Sequence, residues 1–217
     1  MEQAHSFLLQ DAMNHLLPAT GEQHPPSILI TGARKFSDDA PALAAAKEML
    51  HEMFSLSPAD TVVMHGGANG IDSLAGHVAL ALGRTTLEFP AYSTAVARTR
   101  RVLSTGEILS ERTHDWTTFL TGGAARYYTT ESRRKPLLRN EGMVNYLAQR
   151  NQLADGTLLE GDIPNAICVG FTHYLSQTGG TIDTLRKARS AKIRTFHVDW
   201  RITTNGKPPT LAILSDY

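Results

Sequence analysis

Val62-Val63-Met64-His65-Gly66-Gly67-Ala68-Asn69-Gly70-Ile71-Asp72-Ser73-Leu74-Ala75 is the stretch that decides how this chain folds. A short apolar run suited to a buried strand meets three glycines within five residues. Apolar residues then recur at helical spacing from Ile71 towards Leu82. Glycine lets the backbone take φ > 0 and come close to a ligand. A helix that starts there leaves its first amides without intrahelical acceptors, an arrangement that favours an anion such as phosphate. The pattern recurs where the apolar run Ala166-Ile167-Cys168-Val169-Gly170-Phe171 is followed by Ser176-Gln177-Thr178-Gly179-Gly180-Thr181-Ile182-Asp183. Two such turns in one small domain point to a nucleotide or phosphoribosyl ligand held between them.

The flanking segments fit the same plan. Residues 1–26 form a prelude in which Phe7, Leu8, Ala12, Leu16 and Leu17 fall at helical spacing, and Pro25-Pro26 closes it. The expectation is an amphipathic helix docked on the domain or on a second subunit. Residues 27–217 then read as one α/β domain. Strands are expected at 27–31, 61–65, 85–89, 166–171 and 193–198, with an edge strand at 211–214. Helices are expected at 42–54, 71–82, 140–151 and 182–191, while residues 91–138 show no clear period and read as an insertion or lid. Alternating strands and helices imply a Rossmann-like parallel sheet flanked by helices. Ligands collect at the carboxyl ends of such strands, so Gly32–Arg34, Gly66–Asp72, Pro90-Ala91 and Thr178–Thr181 should line one crevice.

Composition narrows the function classes. The 217 residues carry no net charge, which argues against a general nucleic-acid coat. Yet residues 91–139 hold nine Arg/Lys against four Asp/Glu, and the remainder is correspondingly acidic, which hints at an anionic partner near that segment. The single cysteine, Cys168, gives neither an intrachain disulfide nor metal-ligand spacing, and reads as a small strand hydrophobe. No metal and no cofactor are expected. The absence of a long apolar run argues against a membrane span and for a cytoplasmic protein. No Ser/His/Asp triad, zinc spacing or lysine-bearing P-loop stands out.

Five pieces in order resemble the SLOG superfamily (Smf/DprA and LOG proteins), most closely its YspA-like branch. They are Ile30-Thr31-Gly32-Ala33-Arg34, His65-Gly66-Gly67-Ala68-Asn69-Gly70-Ile71-Asp72, Phe89-Pro90-Ala91, Arg139-Asn140-Glu141-Gly142-Met143-Val144 and Thr178-Gly179-Gly180-Thr181. The resemblance implies a Rossmann-like fold, binding of nucleotides or nucleotide-derived ligands, and self-association into a homo-oligomer. LOG-type relatives cut the N-glycosidic bond of nucleoside monophosphates, and DprA proteins bind single-stranded DNA. LOG enzymes end their motif Gly-Gly-x-Gly-Thr-x-x-Glu in a catalytic Glu. Here Thr184 falls at that place and Asp183 one residue earlier, a turn of about 100° around a helix.

Several residues are candidates for the site, each beside a plainer reading. Gly66, Gly67 and Gly70 suit an amide nest for an anion or a mere tight turn. Gly179, Gly180 and Thr181, with Thr178, suit a second one. Thr31, Gly32 and Arg34 follow the first strand, where Arg34 either pairs a phosphate or stands in water. Asp72 either accepts from ribose hydroxyls or answers its helix dipole, Asp183 poses the same alternative, and Glu141 is either an acid or a helix-dipole carboxylate. These three carboxylates are the catalytic candidates if the protein cuts a glycosidic bond. Arg139 is a candidate phosphate partner; Asn140 is either a second or a helix N-cap. His65 either hydrogen-bonds near the ligand or is a buried, satisfied histidine.

The insertion interleaves Arg98, Arg100, Arg101, Arg112, Arg126, Arg133, Arg134 and Lys135 with Tyr92, Trp116, Phe119, Tyr127 and Tyr128. That composition suits base stacking along a single strand or a lid packed on its own aromatics. Three functions follow as expectations. The first is binding of a phosphorylated nucleoside, ADP-ribose-like or signalling nucleotide, with or without N-glycosidic hydrolysis. The second is single-stranded DNA binding through the insertion. The third is a non-catalytic regulatory or interaction role.

Overall fold

The computed structural model describes residues 25–90, 97–103, 105–114, 135–149, 165–174, 179–201 and 210–214, together with residues 10, 13, 14 and 16. Among them eight strands form one sheet: β1 Ser27–Gly32, β2 Val62–His65, β3 Thr85–Glu88, β4 Ala97–Val102, β5 Ile108–His114, β6 Ala166–His173, β7 Arg194–Arg201 and β8 Thr210–Leu214. Their spatial order is β5-β4-β3-β2-β1-β6-β7-β8. The central pairs β3–β2, β2–β1, β1–β6 and β6–β7 are parallel, and β4, β5 and β8 add antiparallel edges. The chain runs outward from β1 through β2 and β3, then returns to build β6 and β7 on the other side of β1. That reversal places the switch point of the sheet at β1 and β6, where ligand crevices form in α/β folds. The fold is the expected α/β, Rossmann-like one.

Period-two alternation sorts the strand side chains onto two faces. Ile28, Ile30, Val63, Ile167, Val169, Phe171 and Val198 pack with helices α1 (Ala40–Leu56) and α2 (Ile71–Ala81). Leu29, Met64 and Cys168 pack on the opposite side with α3 (Lys135–Ala148) and α4 (Gly180–Ser190). Met13 and Leu16 of the N-terminal segment join the first of these cores, so at these two residues the segment docks on its own domain.

Helix ends follow local chemistry. Asp39 caps α1 by accepting from the Ala42 amide at 3.0 Å, with Pro41 in the first turn. At the other end, the buried Arg84 guanidinium donates to the carbonyls of Phe54 at 2.7 Å, Ser57 at 2.9 Å and Pro58. A side chain from the α2–β3 connection thus adds charged donors at the end of α1, beside the Ser57 hydroxyl, which donates to the Phe54 carbonyl at 2.9 Å, and the Thr61 amide, which donates to that of Pro58 at 3.1 Å.

Two expectations need correction. The stretch after Phe89 is not periodless throughout: β4 and β5 form a hairpin that extends the sheet. Its strands are rich in Arg and Thr and lie at an edge, so they lack the hydrophobic alternation that marks a half-buried strand. The next helix begins at Lys135, with Pro136 in its first turn, and not at 140. Asn140 therefore lies inside α3 and is not its N-cap.

Replacing Arg84 with Met would keep the aliphatic packing but remove three charged hydrogen bonds. The Phe54 carbonyl would keep only the Ser57 hydroxyl, the Pro58 carbonyl only the Thr61 amide, and the Ser57 carbonyl no donor among the described residues. Urea unfolding should show a loss of about 2–3 kcal/mol. A change under about 0.5 kcal/mol would mean that water satisfies the end of α1 equally well.

Candidate functional site

A cleft of about 410 Å³ opens at the carboxyl edge of the sheet on the α3–α4 side. It is lined by Thr31, Gly32, Ala33 and Arg34 after β1, by Ala68 and Asp72, by Leu137, Arg139 and Asn140 of α3, by Thr172, and by Gly179, Gly180 and Thr181. Segments up to 150 residues apart in sequence therefore meet around one hollow. Thr178 and most of the 91–138 insertion, including its aromatic residues, lie outside the described residues.

The first glycine turn is organised around Asp72. This carboxylate is 3% exposed and accepts from the Gly32 amide at 3.2 Å and from the amides of Gly66 and Ala68. Burial pushes its pKa up, while the neighbouring Arg139 guanidinium and the three amides oppose that shift. The amides expected to hold an external anion hold this carboxylate instead. Arg139 is buried as well, donating to the Gly66 carbonyl and from Nε to Asn140 Oδ1 at 2.9 Å. Gly66 is required where these groups meet, since a Cβ there would lie 2.7 Å from Asp72 Oδ2 and against Arg139. Gly70 takes φ +90° and packs on the Ala33–Arg34 backbone, which draws the first two βα turns together.

His65 is the buried, satisfied histidine of the plainer reading. It is 6% exposed, and its Nδ1 accepts from the Gly67 amide at 3.2 Å. Burial, then the Arg139 charge, lower its pKa to about 4. Among the described residues His65, Gly66, Gly67 and Gly70 support the cleft from behind and do not line it.

The second glycine turn differs. Gly179 takes φ +109° at the N-cap of α4 and brings no capping side chain. The amides that follow have no intrahelical acceptors, as at every helix start, and Gly180 and Thr181 face the cleft. Asn140 Nδ2 donates to the Gly180 carbonyl at 3.2 Å, which fixes this turn against α3. Arg34 stands exposed at the rim without an ion pair among the described residues. Asp183 and Glu141 are placed elsewhere. Both carboxylates face Lys187, at 2.8 and 3.4 Å, in a bridge between α3 and α4, and neither lines the cleft.

Thr172 and Leu137 line the cleft outside the residues that the sequence singles out. β6 runs two residues beyond the expected Phe171, to His173, so Thr172 is its penultimate residue as Thr31 is that of β1. That parallel was the available signal. No protein-family model, curated protein or solved structure matches the chain. Among the described residues no group of His, Cys, Asp and Glu could hold a metal ion, and no helix is long and apolar enough to cross a membrane.

The depressed His65 pKa has a definite consequence. Unfolding below the ordinary imidazole value takes up a proton that the folded ring refuses until about pH 4. His65 therefore costs no stability above about pH 6.5 and costs about 1.4 kcal/mol per unit as the pH falls from there towards 4. In His65→Asn the amide oxygen can still accept from Gly67, and the variant should lose less stability than the parent between pH 7 and 4. Parallel stability–pH curves from urea unfolding would contradict a buried neutral ring.

Proposed function

We propose that the protein binds a phosphorylated nucleoside or nucleotide-derived ligand, of the ADP-ribose-like or signalling-nucleotide kind, in this cleft. One observation carries the reading. Arg34, the start of α4 and the polar residues Thr31, Asp72 and Asn140 converge on a hollow of about 410 Å³, within the size range of small-molecule sites. The phosphate rests on the amides of Gly180 and Thr181, where the helix start favours negative charge, and Arg34 neutralises it from the rim. Asp72 offers an acceptor to the sugar. The resemblance to SLOG proteins agrees with this ligand class and with self-association.

Binding without turnover is the favoured form of the reading. An oxocarbenium-like sugar needs a carboxylate beside it, and of the three candidates only Asp72 lines the cleft. Its oxygens are already engaged by backbone amides. If N-glycosidic hydrolysis occurs, Asp72 is the residue that stabilises the sugar cation.

Single-stranded nucleic acid is the second reading, and one observation favours it. Arg101 and Arg112 are exposed on the same face of the β4–β5 hairpin without acidic partners among the described residues. On the other face Arg100 is paired with Glu88 and Glu111. Backbone-tracking binding would weaken by about 0.7 log units per phosphate contact for each decade of salt.

Arg34→Ala separates the two readings. It should weaken AMP binding, followed by calorimetry, by about 1.5–3 kcal/mol with little change in melting temperature, and leave oligonucleotide binding untouched. Unaltered AMP affinity would remove Arg34 from the site.

A further inference from the structure

Beneath the cleft, β6 and β7 carry a buried polar cluster that packing alone does not require. Thr172 and Asp199 are register partners on the two strands, and they are 1% and 0% exposed. Thr172 Oγ1 lies 2.5 Å from Asp199 Oδ1 and 2.6 Å from His197 Nε2. The second oxygen of Asp199 accepts from Arg201 Nε at 3.2 Å.

Proton counting fixes the direction of these bonds. An ionised carboxylate only accepts, and a hydroxyl has one proton to give. Thr172 therefore donates to Asp199, and His197 must donate to Thr172 through an Nε2–H. Burial also lowers the His197 pKa, which keeps the ring neutral with that proton in place. Of the hydroxyl's hydrogen-bonding capacity, one lone pair remains, and Thr172 lines the cleft. Thr31 and Thr181, which also line it, make no hydroxyl hydrogen bond to the described residues and can donate or accept.

We propose that Thr172, with its proton committed to Asp199, is an acceptor-only position of the cleft that selects a ligand carrying a sugar hydroxyl. A phosphate oxygen brings no proton to this position and is disfavoured there, whereas a ribose hydroxyl donates to it. The assignment rests on the nucleotide reading and gives it a polarity, with anionic groups at Arg34 and Thr181 and the hydroxylated sugar over Thr172. Asp199 and His197 are positioning residues, acting only through Thr172.

The test compares AMP with its 2′-deoxy and 3′-deoxy forms by calorimetry. The parent protein should bind AMP about tenfold more tightly than at least one deoxy form, a ratio equivalent to one modest hydrogen bond. In Asp199→Asn, Arg201 keeps the amide oxygen and turns the NH₂ group towards Thr172. The threonine proton then turns towards the cleft, where a sugar hydroxyl can accept it, so the hydroxyl preference should persist. The 2′-fluoro or 3′-fluoro form of AMP, which accepts but cannot donate, should gain on the corresponding deoxy form only in this variant. Thr172→Ser should retain the preference and Thr172→Val should lose it, which keeps the assignment testable if the Asn variant folds poorly. Equal binding of all three nucleotides by the parent, or an undiminished preference in Thr172→Val, overturns the assignment while leaving the nucleotide reading intact. Failure of AMP and both deoxy forms to bind at all overturns both.

Discussion

The buried Asp72 carboxylate is the interaction on which the site depends. It gathers amides from the end of β1 and from the turn after β2, and it sits beside the Arg139 guanidinium delivered by α3. Three chain segments far apart in sequence are thereby fixed to a single charged group. A lone buried carboxylate would be costly; here three amide donors and a guanidinium offset that cost. The same bonds use up the donors that a ligand anion would need. The first glycine turn thus builds one wall of the cleft, and the anion-binding role passes to the start of α4.

This division of labour follows from side-chain length and placement. In the first turn an aspartate at the second position of α2 reaches back onto the preceding amides. In the second turn the comparable acid, Asp183, lies along the outer face of α4 and pairs with Lys187 at i + 4. Gly179, Gly180 and Thr181 bring no carboxylate back over their own amides. Two turns that look alike as strings of glycine therefore differ in what they can hold.

Much of the fold was legible because it rests on local rules. The apolar runs 27–31, 61–65 and 166–171 marked the central strands, and the glycine turns marked the helix starts. The edge hairpin was not legible, since Arg98, Thr99, Arg100 and Arg101 show no hydrophobic alternation. The start of α3 was missed because Pro136 reads as a breaker unless it is placed in a first turn. At the site, the convergence of Thr31–Arg34, Asp72, Arg139–Asn140 and Gly179–Thr181 followed from strand-edge logic. The roles within it did not. Whether Asp72 faces a ligand or its own backbone, and whether His197 and Asp199 meet Thr172, depends on tertiary geometry that no single segment encodes.

Amide chemical shifts during titration with AMP test the central claim most directly. If the start of α4 holds the phosphate, the largest changes should fall on Gly180 and Thr181, with smaller ones at Gly66, Gly67 and Ala68. Dominant changes at Gly66–Ala68 would show that the ligand displaces Asp72 from its amides, and would contradict the account.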